Sequence, residues 1–113
     1  MEMNEPQRRK AMNEALFREI NEQIEELHIR FALKDREPLD VVCECDRADC
    51  TKRLEVSVEV YERVRRDPAC FFVTPGHEDS SVEDIVDSGG NYVIVRKKPG
   101  EPQQIAEETD PRH

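Results

Sequence analysis

Tryptophan is absent from this 113-residue chain, and aromatic residues of every kind make up only 5% of it. Large rings supply much of the burial that holds a core together, so the core here must be small or must be helped. No apolar run exceeds a few residues, far short of the ~20 that a membrane-spanning helix needs. A positive surplus is missing too. Acids outnumber bases 9 to 7 over residues 1–37, 13 to 9 over 38–98 and 4 to 1 over 99–113, giving a net charge of −9. Proteins that hold nucleic acid by its phosphates carry the opposite sign, so non-specific nucleic-acid binding is disfavoured. The opening stretch, Met1 to Pro6, is acidic and polar and lacks the apolar core of a secretory signal. The expectation is a cytoplasmic protein without membrane contact. Thiols stay reduced in that compartment, and clustered cysteines there point to metal more than to disulfides. The Gly-x-Ser-x-Gly elbow, the phosphate-binding loop and the His-Glu-x-x-His zinc motif are all missing. No catalytic signature is left, and the expectation is a protein that is not an enzyme.

What is present reads as a long N-terminal helix followed by a small α+β unit. Asn4 can cap a helix over 6–33, and Pro6 suits its first turn. Phe17, Ile20, Ile24, Leu27 and Phe31 recur at 3-4 spacing, a heptad seam of two repeats. Such a seam predicts either packing on the helix's own domain or contact with a protein partner, including a second copy of the chain. Pro38 ends the helix by disfavouring the α region at the residue before it. Strands are predicted over 39–44 and 53–57, with a polar loop between them. Ser57 caps a short helix over 58–66 with Val58, Tyr61 and Val64 inward. A further strand covers 70–74. Ser80-Ser81-Val82-Glu83 has the pattern of a capping box and predicts a helix that Gly89-Gly90-Asn91 closes. Tyr92–Lys97 is rich in β-branched residues and reads as a strand. The predicted order is therefore one long helix and then β-β-α-β-α-β. The segments are residues 1–37 as the amphipathic helix, 38–98 as the compact domain and 99–113 as a disordered acidic tail.

A compact part of about 60 residues supplies only about 3–5 kcal/mol unaided, so a staple is expected. The chain offers one. Cys43-Glu44-Cys45 is followed by Cys50 after a four-residue polar loop, and Cys70 and His77 come later. In extended chain Cys43 and Cys45 share a face, because side chains alternate. The loop 46–49 can then bring Cys50 back beside them. Three thiolates suit Zn²⁺ or an iron–sulfur cluster, and tetrahedral zinc takes one more ligand. His77 is the choice, since the Pro75-Gly76 turn can hold its ring in place. Cys70 competes, though beside Phe71-Phe72 it also reads as a buried thiol acting as a small hydrophobe. A structural zinc adds roughly 10–16 kcal/mol of apparent binding energy, so metal loss is expected to unfold the domain.

These residues carry a resemblance. Cys43-Glu44-Cys45, Cys50-Thr51, Leu54-Glu55-Val56-Ser57, Tyr61-Glu62, Val64-Arg65, Asp67-Pro68 and Pro75-Gly76-His77-Glu78 resemble an uncharacterised family of small actinobacterial proteins. Asn21-Glu22 and Ile24-Glu25 extend the likeness into the first helix. The resemblance implies a metal role for Cys43, Cys45, Cys50 and His77, and no cysteine at the place of Cys70. It implies nothing about substrate or mechanism.

Other readings remain open. Lys52-Arg53, Arg63, Arg65-Arg66 and Arg96-Lys97-Lys98 can form a basic face for nucleic acid, or simply be solvated cations at element ends. A small zinc or thiol enzyme would need an open metal position or a Cys70–His77 pair, with Glu44 or Glu78 as base. His28 and His113 are expected in solvent. The leading expectation is a zinc-stabilised module for macromolecular interaction.

Overall fold

A computed structural model of the chain describes residues 2–31 and 37–112. The first element, α1 (Glu5–Arg30), begins in a full capping box: Asn4 accepts from the Gln7 N–H while Gln7 accepts from the Asn4 N–H. Two antiparallel strands follow, β1 (Leu39–Val42) and β2 (Arg53–Val56), paired from Leu39↔Val56 to Val42↔Arg53. Ser57 caps α2 (Val58–Arg65) by accepting from the Val60 N–H, and Tyr61 and Val64 face inward as their spacing requires. A second sheet, of order β3-β5-β4, is built from β3 (Cys70–Val73), β4 (Glu83–Ser88) and β5 (Val93–Lys97). The chain ends in α3 (Glu101–Glu108). The fold class is α+β, as the sequence predicts. The element order is α-β-β-α-β-β-β-α and departs from the predicted one in two places.

The segment Glu83–Ser88 is a strand and not part of a helix. Its capping chemistry is real but is one residue early. Asp79 accepts from the Ser81 N–H and hydroxyl, its carbonyl accepts from Val82 and Glu83, and Glu83 reaches back to the Asp79 N–H. That single turn feeds β4, where Glu83, Asp84 and Ile85, and then Asp87 and Ser88, pair with β5 on either side of a bulge at Val86. Pairing with β5 outweighs a helix of seven residues, which is too short to be stable alone. Gly89 and Gly90 thus lie in a hairpin connection. A side chain at Gly89 would meet the Tyr92 ring at 2.1 Å.

The second departure is the tail. Residues 101–108 are helical, with Pro102 and Ala106 buried. Pro102 lies in the first turn, where its missing N–H costs nothing. Arg18 of α1 fastens the helix by donating to the Ala106 carbonyl at 2.8 Å and to Thr109 Oγ1 at 3.1 Å. Beyond it, Arg112 meets Glu22, Glu25 and Glu62.

The heptad seam of α1 is likewise not its buried stripe. The buried residues are Glu14, Ala15, Arg18, Asn21, Glu25 and His28. Phe17, Ile20 and Ile24 are half-buried, and Leu27 and Phe31 are exposed, Phe31 at 68%. His28 is therefore buried rather than solvated. Arg65 and Lys97, candidates for a basic face, are buried too: Arg65 pairs with Glu44, and Lys97 donates to Glu14 and Glu83. The predicted helix residues 32 and 33, and His113, lie outside the described residues.

Phe72 centres the core between the sheets. It stacks on Tyr61 at 5.7 Å and meets Tyr92 edge-on at 5.6 Å. Among the described residues no helix is long and apolar enough to cross a membrane.

Candidate metal centre

Three chain segments next to strand ends deliver the four ligand candidates: Cys43 and Cys45 after β1, Cys50 before β2 and His77 after β3. Cys43 follows β1, continuing its ladder through an N–H bond to the Lys52 carbonyl at 3.0 Å. Glu44 then crosses to the other sheet, its N–H donating to the Phe72 carbonyl at 2.8 Å. Cys50 closes the loop before β2 through a turn to the Arg47 carbonyl. His77 follows β3 on a tight turn in which its N–H donates to the Thr74 carbonyl at 2.9 Å. Pro75 presets the first central position of that turn. Gly76 occupies the second with φ +92°, the left-handed conformation a type II turn demands.

The result is a single group. The Sγ atoms of Cys43, Cys45 and Cys50 and a ring nitrogen of His77 all lie within 4.8 Å of one another. His77 Nδ1 stands 3.8 Å from Cys43 Sγ and 3.6 Å from Cys50 Sγ. Tetrahedral zinc, with Zn–S about 2.3 Å and Zn–N about 2.0–2.1 Å, requires about 3.6 Å between a sulfur and a nitrogen ligand. The donor set, three soft sulfurs and one imidazole, matches the same ion. Cys43 and Cys45 are buried and Cys50 is half-buried. Cys70, at the far end of β3, is not in the group. Burial and the neighbouring Asp67 push its thiol up to about 11, which suits a core thiol.

The cluster also stabilises negative charge on sulfur. A hydrogen bond from the Cys45 thiol, contacts with Thr74 and the charge of His77 hold Cys43 down to about 5, against the effect of burial. The Thr74 N–H donates to Cys43 Sγ at 3.1 Å. Cys45 is raised in turn, chiefly because its proton is held in the bond to Cys43. A cation at the centre would displace the protons of these thiols.

Between the two buried cysteines sits a residue whose part the sequence did not disclose. Glu44 is fully buried and its carboxylate takes four hydrogen bonds. Arg65 donates to it twice, at 2.6 and 2.8 Å, Asn21 Nδ2 donates at 2.7 Å and the Phe72 N–H at 3.0 Å. Asn21 also grips both backbone groups of Val42, at 2.8 Å each. The first helix, α2 and β3 therefore converge on the residue linking Cys43 to Cys45. A role for Glu44 as a general base is overturned by this, since its lone pairs are committed to structural partners. Glu78 accepts from the Gly76 N–H at 2.9 Å and supports the histidine turn.

No family model, no curated protein and no solved structure matches this chain. The reading of the centre rests on its geometry.

Proposed function

We propose that this chain is a zinc-stabilised interaction module, with Cys43, Cys45, Cys50 and His77 holding one structural Zn²⁺. The observation that carries the reading is the convergence of those four donors, from three separate strand ends, to within 4.8 Å. Four protein ligands fill a tetrahedral ion and leave no position for water, which is the arrangement of a structural site rather than a catalytic one. The metal crosslinks the 43–50 loop to the 74–77 turn, and with them the two small sheets.

The surface for a protein partner, or for a second copy, is the outer face of α1. Met12, Leu16, Leu27 and Phe31 lie there with half or more of their surface exposed. Apolar side chains grouped along one face of a helix suit helix-in-groove recognition. Removal of α1 is not a clean test, because Glu14, Arg18 and Asn21 hold the rest of the fold. Charged substitutions of the outer face are. Leu27→Glu with Phe31→Glu leaves metal content and stability unchanged and abolishes self-association in light scattering, or partner capture. Undiminished association in that variant contradicts the surface. For the metal, elemental analysis of zinc-supplied protein gives one ion per chain, and chelation lowers the unfolding midpoint. A chain that purifies without metal and is indifferent to chelator contradicts the module.

A further inference from the structure

The three thiols of the centre are not equally placed. Cys43 and Cys45 are sealed in the core, each about 1% exposed, whereas Cys50 is half-buried at the end of a polar loop. The Cys45 Sγ lies within 4.8 Å of both other sulfurs. An accessible cysteine next to a resolving thiol is the arrangement that reversible oxidation requires. The loop joining Cys45 and Cys50 has only four intervening residues, so little chain must be reorganised to join them.

We infer that the centre is also a site of reversible oxidation by peroxide, entered at Cys50 and resolved by Cys45, which releases the metal and frees the His77 turn. This rests on the metal reading above. In the first step the Cys50 thiolate attacks peroxide. An S–O bond forms, the O–O bond breaks and hydroxide leaves, giving the sulfenic acid. In the second the Cys45 thiolate attacks the Cys50 sulfur. An S–S bond forms, the S–O bond breaks and a second hydroxide leaves. Two electrons pass from the sulfur pair to peroxide, and the ion loses two of its four ligands. Cys43 and His77 alone do not hold zinc firmly, and the 74–77 turn separates from the 43–50 loop. The four hydrogen bonds on Glu44 are untouched, so the chain on either side of it stays in register and reduction can restore the centre.

Zinc-loaded full-length protein is titrated with hydrogen peroxide while a chromogenic chelator follows metal release and dimedone traps sulfenic acid. Metal content is measured before peroxide is added. Expected are dimedone on Cys50 ahead of the other cysteines, about two thiols lost per ion released, and a Cys45–Cys50 disulfide by mass mapping. Cys70 stays alkylatable throughout, and thiol reductant with zinc restores both metal and thiols. A protein that holds no metal before peroxide overturns the metal reading on which the inference rests. A protein that holds metal and keeps it, at peroxide levels that oxidise free cysteine, overturns the oxidation inference alone. So does first labelling at Cys43, Cys45 or Cys70, or oxidation that reductant does not reverse. Cys50→Ser does not replace these measurements, because it also deletes a ligand.

Discussion

Replacing Arg65 with methionine removes the cation facing Glu44 while keeping most of the apolar bulk. Both side chains are buried, at 2% and 0% exposure, so solvent cannot stand in for the lost partner. Two charge-assisted hydrogen bonds disappear, and the carboxylate keeps only Asn21 and the Phe72 N–H. Stranding one member of a buried pair costs about 3–5 kcal/mol. That is a large share of the roughly 5–15 kcal/mol that holds a domain folded. With a urea dependence of about 1.5 kcal/mol per molar, the midpoint falls by about 2–3 M. Urea unfolding at fixed free zinc measures it. A second variant, Glu44→Gln with Arg65→Met, removes the stranded charge and regains more than half of the loss, so the two substitutions are strongly non-additive. A loss below about 1 kcal/mol, or simple additivity, refutes the view that this pair anchors the cysteine loop.

Cys45→Ser abolishes metal binding, whereas Cys70→Ser keeps the metal and costs about 1–3 kcal/mol as a core change; equal metal loss in elemental analysis of the two contradicts the ligand set. Gly76→Ala forces a side chain into φ +92° and costs about 1–2 kcal/mol, with weaker zinc retention in chelator competition because His77 is displaced; unaltered retention contradicts the role of the turn. Glu14 lies buried against Lys97, Glu83 and Asp46, and burial raises its carboxyl to about 8. A carboxyl raised in the folded state lends stability that is complete below about pH 4.5 and lost as pH rises through about 8. Wild type therefore loses on the order of 5 kcal/mol relative to Glu14→Gln across that interval, and parallel stability profiles for the two contradict it. Arg112→Ala lowers stability by about 1 kcal/mol through its contacts with Glu22, Glu25 and Glu62, and an unchanged midpoint means that the C-terminal residues do not contribute.

The elements that local chemistry decides were legible in the sequence. Asn4 starts α1, Ser57 starts α2, and Pro75-Gly76 makes the turn that carries His77. The four cysteine and histidine positions that meet in space were also readable, because sulfur and imidazole spacing says what they can share. Hydrophobic periodicity failed on α1 for a physical reason. Its buried stripe is largely polar, and three of its members are held by distant elements: Glu14 by Lys97, Arg18 by Pro68 and Ala106, Asn21 by Val42 and Glu44. Burial by partnership leaves no apolar trace in the sequence. The same holds for Arg65 and Lys97, which read as surface cations and are core residues. Segment Glu83–Ser88 carried an honest capping signal, displaced to Asp79, and only the pairing with β5 decides that it extends. For Glu44 a hint was there: a charge between two cysteines that must both be buried needs a buried partner.

X-ray absorption at the zinc edge of the purified, zinc-loaded protein tests the centre most directly. Three sulfurs at about 2.3 Å and one imidazole nitrogen at about 2.0–2.1 Å, with no water, is the expected shell. Four sulfurs, a shell of oxygen ligands, or no bound zinc at all contradicts it.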